Sequence, residues 1–343
     1  MADILYSDID DAVIAARRSQ GRSKFTDVAS DIQKYVGFKS LMRSNRVEDI
    51  QTYGCEWTYL VEDNDSAEHT GLFHVDDVNV NDGLKKARID MKHTKANWAY
   101  DQHEIDMNVR NAEERILSLT KVRSAQCDIA IANLVEADLW RLPAATDTLA
   151  PVGFPYYIVR NASAGFNGGN PSGYDDVANV DRDVYTATKN YTDRYVYLTV
   201  DDLINKMEKA CILTNWESPA DISDYSSGSD LGMYTNIDVF LPLTQLAREQ
   251  NDNLGQDLAW NSGKVMFRGT PVTWVPKLDS VTTDPIYGIQ WGDFKILVDK
   301  DWFLKEDGPV RSPTQSDVRV MHKQLTWNLK CTNPRRQWIV DIA

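Results

Sequence analysis

The residues whose types and spacing could do chemistry form no complete set. Ser262-Gly263-Lys264-Val265 has the glycine and lysine of a phosphate-binding loop but lacks the upstream glycine and the hydroxyl residue after the lysine. Gly165, Gly168, Gly169 and Gly173 do not space as GxGxxG and do not clearly open a helix. His69 and His74 are the nearby pair among the five histidines; with Glu68 or Asp76 they could hold a metal ion, against the alternative of a solvated turn. Asp63-Asn64-Asp65-Ser66 begins like a calcium loop, without its glycine or closing glutamate. There is no GxSxG and no HExxH. With 51 acidic residues, any carboxylate pair nominated for glycoside hydrolysis is arbitrary without geometry. No catalytic, cofactor-binding or metal-ligating residue is assigned, and the chain is read as not an enzyme.

Aromatic residues are abundant, with ten Trp and fifteen Tyr, and exposed aromatics stack on sugars or anchor protein interfaces. Trp57, Trp274, Trp291 and Trp327 fall in strand patterns, where burial is the default. An acidic, aromatic-rich carbohydrate-active enzyme or binding module is therefore kept as the alternative from a different class.

The 343 residues, 42% hydrophobic, suffice to bury one substantial core or two. A formal net charge of -14 argues against tight binding to nucleic acid, which needs concentrated Lys and Arg. Cys55, Cys127, Cys211 and Cys331 form no CxxC pair and read as reduced core residues. The first twenty residues carry acidic groups where a signal peptide would have basic ones, and no stretch approaches a membrane span. The sequons at Asn161 and Asn190 read as incidental.

The element that must position the rest is a long helix. From Leu84 to Leu142 there is neither glycine nor proline. Ile105, Val109, Ala112, Ile116 and Leu119 recur at steps of four and three, and Cys127, Ile131 and Leu134 resume the rhythm. Most of Asp101 to Trp140 as helix would measure roughly 50 to 60 Å. The seam is too irregular for a coiled coil, so the rod is expected to be a domain's spine.

Before it lies an arm, residues 1–50, with eight acidic and eight basic side chains and little core of its own. From Gln51 the period becomes two. Tyr53, Cys55, Trp57, Tyr59 and Val61 alternate, as do Ala87, Ile89, Met91 and His93, with a turn-rich segment between them. This spacing predicts a long two-stranded hairpin that returns directly into the spine. Its charge is segregated: residues 51–83 hold eight Asp or Glu and no Lys or Arg, whereas Lys85, Lys86, Arg88, Lys92 and Lys95 face only Asp90. An isolated hairpin is marginal in water, so this one should lie on another surface. The polarity could fix register between copies, through Glu62, Asp63, Asp65, Glu68, Lys85, Lys86, Arg88 and Lys92. Equally, the two strands could neutralise each other.

After Pro143 a separate mixed domain is expected. Strands are predicted at Pro155–Val159, Tyr195–Val200 and Thr235–Phe240, with an exposed loop at Gly165–Gly173. Thr199 should cap a helix carrying Leu203, Ile204, Met207 and Cys211, and Pro242 should open another through Leu246 and Ala247. A hairpin is predicted around Arg268-Gly269-Thr270. Strands follow at Ile286–Trp291, Phe294–Asp299, Val318–Cys331 and Gln337–Ile342, and these late strands are expected under the spine.

This order of elements resembles the major capsid proteins of tailed double-stranded DNA bacteriophages, the Hong Kong 97-type fold. The most specific local likeness is Pro285-Ile286-Tyr287-Gly288-Ile289-Gln290-Trp291, then Thr326-Trp327-Asn328-Leu329-Lys330-Cys331, followed by Asn333 and Arg335-Arg336. The resemblance implies an α+β fold with an N-terminal arm (1–50), an extended loop (51–95), a peripheral domain (96–144 and 276–343) and an inserted axial domain (145–275). It implies a structural protein, without cofactor, that self-assembles into pentamers and hexamers of an icosahedral head. Scaffolding, portal and decoration proteins would be partners, with DNA enclosed by weak non-specific contact. The chain would belong to the virion, assembled in the host cytoplasm through a procapsid, with a separate scaffold or a processed N-terminus. The family's covalent cross-linking is not carried over, because no residue here is matched to it. The alternative within the fold is an encapsulin-like compartment, which would enclose protein cargo.

Overall fold

The computed structural model describes residues 35–43, 45–62, 69, 83–101, 103, 112–215, 230–252 and 265–343, with the backbone alone along 112–121 and 248–252. In chain order the helices are α1 (Val36–Leu41), α2 (Ala112–Leu139), α3 (Phe154–Tyr157), α4 (Asn205–Thr214) and α5 (Ile237–Asp252). The strands are β1 (Val47–Asp49), β2 (Gly54–Leu60), β3 (Leu84–Asp90), β4 (Lys92–Asp101), β5 (Gly165–Gly168), β6 (Asn190–Tyr195) and β7 (Leu231–Thr235). Then come β8 (Met266–Phe267), β9 (Thr270–Trp274), β10 (Ile286–Gln290), β11 (Phe294–Val298), β12 (Lys305–Arg311), β13 (Val318–Cys331) and β14 (Trp338–Ile342).

The described part of the spine, α2, is 28 residues, about 42 Å. Asp101, expected to open the helix, instead ends strand β4, which pairs residue by residue with β13 from Lys92 opposite Trp327 to Asp101 opposite Val318. Strand pairing there buries Thr94 and Tyr100 at even spacing, a pattern a helix could not give. The hairpin therefore passes through β4 before it reaches the spine. Ile105 and Val109 lie outside the described residues. On the spine's last turns Cys127, Ile131, Val135 and Leu139 face the core at steps of four, while Leu134 points to solvent. The Arg123 guanidinium donates to Ala99 C=O at 2.7 Å, and Lys323 of β13 pairs with Asp128, so the spine is pinned to both strands beneath it.

Of the two larger sheets, the first runs β1-β11-β13-β12, with β4 also on β13, and the second runs β5-β6-β14-β10-β7-β9-β8; β2 and β3 form a two-stranded sheet of their own. Here the expectation for the late strands is corrected. β11 and β13 join the first sheet, but β10 and β14 are central in the second, where β10 pairs with β7 and β14 with β6. The reason is that both strands are apolar on two faces. Ile286, Trp338 and Val340 pack under α4 and α5 against Leu203, Met207, Val239 and Leu243. Tyr287, Ile289 and Ile339 face the opposite core with Trp140, Phe154 and Phe294. Such strands belong inside a sheet covered on both sides.

Four other local expectations change. In place of a strand at Pro155–Val159 stands the short helix α3 (Phe154–Tyr157), capped at Gly153, where a Cβ would meet the Asp138 carbonyl oxygen at 2.3 Å, with Pro155 in its first turn. Gly165–Gly168 is edge strand rather than loop, held by Gly165 and Gly168 opposite Thr192 and Asn190. The strand expected at Tyr195 lies earlier, at β6, leaving Thr199 to cap the following helical turn through Asp202 N–H at 3.4 Å. Ile237–Phe240 is helix, because the Asn236 side chain accepts from Val239 N–H at 3.1 Å and starts α5 ahead of Pro242. The Arg268-Gly269 hairpin forms as expected, with both residues at positive φ, 47° and 79°. All four cysteines are free and buried.

Candidate inter-subunit interface

β2 and β3 pair antiparallel from Gly54 opposite Asp90 to Leu60 opposite Leu84. Alternation gives the hairpin two faces. The inner one carries Cys55, Trp57, Tyr59, Lys85, Ala87 and Ile89; the outer one carries Glu56, Thr58, Leu60, Leu84, Lys86 and Arg88.

The inner face is anchored to the chain's own body. The Tyr59 hydroxyl donates to Cys331 C=O at 2.6 Å, and Arg88 N–H donates to Ala178 C=O at 3.0 Å. Ala87 packs against Ala178 and Val180, with Trp57, Tyr59 and Tyr185 around them. The Lys330 ammonium sits 5.4 Å from the Trp57 ring centre and 3.2 Å from both Glu48 oxygens. Burial raises the Tyr59 and Cys331 pKa values and lowers that of Arg182 beside them, whose guanidinium donates to Tyr157 C=O at 2.9 Å.

The outer face is open. Leu60 and Leu84 are directly opposite each other and 63% and 57% exposed, an apolar pair with nothing over it among the described residues. Sequence reasoning passed over both. The available signal was their phase: each is apolar where the alternation calls for a polar residue.

The sequence-predicted contact residues divide. Asp63, Asp65 and Glu68 lie outside the described residues, as does His74 of the histidine pair; Glu62 is exposed at the end of β2. Arg88 is held within the hairpin, 3.7 Å from Glu56 on the facing strand and 3.2 Å from Asp90. For that residue, neutralisation across the strands is what the geometry gives. Lys85 lies over the Tyr185 ring at 5.3 Å, and Lys92 donates to Thr148 C=O at 2.7 Å. Lys86 stands exposed on the outer face between Leu84 and Arg88. The structure thus brings Lys86, Arg88, Leu60 and Leu84 onto one surface and turns Lys85 and Lys92 inward to the chain itself.

Among the described residues no cluster of three or more metal-ligating side chains occurs, and no helix is long and apolar enough to cross a membrane. Trp291 and Trp327 are buried, and Trp57 and Trp274 are half-buried, so none of the four offers a fully open sugar-stacking face.

Neither a protein-family model nor a curated protein matches this sequence. Solved structures do match. The chain in the capsid asymmetric unit of cyanophage A-1(L) is 12% identical, with 94% of this chain and 97% of that one covered at a TM-score of 0.66. The capsid of the native GTA particle is 10% identical, covering 95% and 96% at a TM-score of 0.59. The holo-SrpI encapsulin complex of Synechococcus elongatus PCC 7942 is 10% identical, covering 96% and 94% at 0.52. These likenesses run nearly end to end, and this chain has the Hong Kong 97-type capsid fold.

Proposed function

We propose that this chain is the major capsid protein of a tailed double-stranded DNA phage, a non-catalytic subunit of an icosahedral head built from pentamers and hexamers. The observation that carries this reading is the end-to-end match to the cyanophage capsid chain, which spans 94% of one and 97% of the other. Residues 51–95 would be the loop reaching over a neighbour, with Leu60, Leu84, Lys86 and Arg88 as its contact face and Glu62, Asp63, Asp65 and Glu68 towards its tip. The axial domain would be 145–275 together with β10 and β14, and the peripheral domain the spine, β4, β11, β12 and β13, with residues 1–50 as the arm. Scaffolding, portal and decoration proteins are the partners this reading calls for. A net charge of -14 suits a wall that must enclose DNA without gripping it. The site of action would be the virion, after assembly in the host cytoplasm.

An encapsulin-like compartment is the second reading, favoured by the encapsulin match at a TM-score of 0.52 and weaker for being the lower one. Electron microscopy of the purified protein, with analysis of what the particles contain, tests both. Closed shells protecting DNA support the phage head; shells protecting protein cargo support the compartment. A monodisperse monomer that persists with scaffold candidates supplied overturns both.

A further inference from the structure

A groove of about 790 Å³ opens where the C-terminal end of α2 meets the second sheet. Its apolar floor includes Trp140, Ile158 and Tyr287, and Arg141, Arg160 and Lys277 stand around it. That volume is in the range of ligand clefts. The lining contains three cations and no carboxylate, in a chain with 51 acidic residues against 37 basic. Arg141 is paired to Asp138 at 2.9 Å and Arg160 acts electrostatically on Asp341 of β14, outside the lining, whereas Lys277 makes no ion pair among the described residues. An apolar floor ringed by cations fits a peptide that is both apolar and acidic.

The chain itself contains one. Residues 2–14, ADILYSDIDDAVI, carry Asp3, Asp8, Asp10 and Asp11 among Ile4, Leu5, Tyr6 and Ile9, and no Lys or Arg occurs before Arg17. Reach is sufficient. The described chain begins at Tyr35, whose hydroxyl donates to Asn133 of the spine at 2.8 Å, one helical turn before Ala137 in the groove wall. Residues 15–34 could span roughly 65 Å when extended.

We propose that this groove is a binding site for an acidic, apolar peptide and that its occupant is residues 2–14 of the same chain. Docked there, the segment would tie the arm across the junction of the two sheets. The inference uses the fold alone and is independent of whether the chain forms shells.

Disulfide trapping in the full chain tests it, the four native cysteines being buried. With Ser7→Cys and Ser280→Cys, the latter in the groove wall, oxidation should form an intramolecular link at least tenfold faster than Ser7→Cys with Ser316→Cys on the turn before β13. Arg160→Glu with Lys277→Glu should slow the link at least fivefold. Equal rates at the two positions, or a link that joins two chains on a non-reducing gel, overturn the proposal. As a second measurement, a fluorescent peptide of residues 2–14 should bind a chain lacking that segment, and at least tenfold more weakly when its four Asp are Asn. Absence of binding to the shortened, folded chain overturns the site.

Discussion

Asp293 and Arg336 face each other across 3.7 Å at the place where the chain passes twice between its two sheets. Asp293 lies in the turn from β10 to β11, and Arg336 in the turn from β13 to β14. Gln337 joins the two turns: its side-chain oxygen accepts from Gln290 N–H at 2.8 Å, and its amide donates to Asp293 at 3.4 Å. Thr332 N–H donates to Asp293 C=O at 2.8 Å. Two crossovers are thereby fastened side by side.

Burial pushes the Asp293 carboxyl up to about 6, while Arg336 pulls the other way. Between the ordinary carboxylate value and 6, the folded state holds a proton that the unfolded chain has released. Stability from this group is therefore greatest at acid pH and falls as pH rises through 6, by on the order of 3 kcal/mol in all. In urea titrations at pH 4 and pH 7, the unfolding free energy of the native chain relative to Asp293→Asn should drop by about 2 to 3 kcal/mol. A difference that does not change with pH would remove Asp293 as the titrating group.

Glu136 is fully buried on the spine and serves α1, nearly a hundred residues earlier. Its carboxylate accepts from Gly37 N–H at 3.0 Å, Phe38 N–H at 2.8 Å and Trp140 Nε1 at 2.9 Å. Glu136→Gln puts a donor against these donors, and Glu136→Ala leaves all three without an acceptor. Each should cost about 2 to 4 kcal/mol, read by denaturant unfolding, with faster amide exchange at Gly37 and Phe38.

On the hairpin's outer face the expectation is the opposite: little change in stability and a large one in assembly. Leu60→Asp and Leu84→Asp alter exposed positions and should shift subunit stability by less than about 0.5 kcal/mol. If this face contacts a neighbour, each should suppress shells in sedimentation and microscopy, as should Lys86→Glu and Arg88→Glu together. Normal shells from these folded variants would sink the clamp.

At Gly288 the second sheet has no room for a side chain. A Cβ there would lie 1.9 Å from Cε2 of Trp338, which is fully buried and cannot retreat. Gly288→Ala should lose roughly 3 kcal/mol or more. Gly292→Ala, with nothing within 4 Å of its Cβ, should unfold within about 1 kcal/mol of the native chain. Thermal unfolding of the pair separates crowding from any general effect of replacing glycine.

Local pattern by itself determined a good deal of this protein. The alternation at Cys55, Trp57 and Tyr59 was enough for the hairpin, and the apolar recurrence at Cys127 and Ile131 for the spine, because each element buries one face at its own period. Thr199 as a cap and Arg268-Gly269 as a turn were legible for the same reason: their chemistry is confined to a few neighbouring residues. The order of elements then pointed to the fold. What only the tertiary structure decided was partnership. Lys92–Asp101 is held as strand because β13, more than two hundred residues later, supplies the ladder. β10 and β14 could have lain beneath the spine, yet having apolar side chains on both faces they needed cover from two sides and found it in the second sheet. That Leu60 and Leu84 form one apolar pair was decided by the register, which places one opposite the other. Arg88 and Lys85 look alike in sequence, but one meets Glu56 across the strand and the other lies on Tyr185, a difference set by contacts that no local spacing encodes.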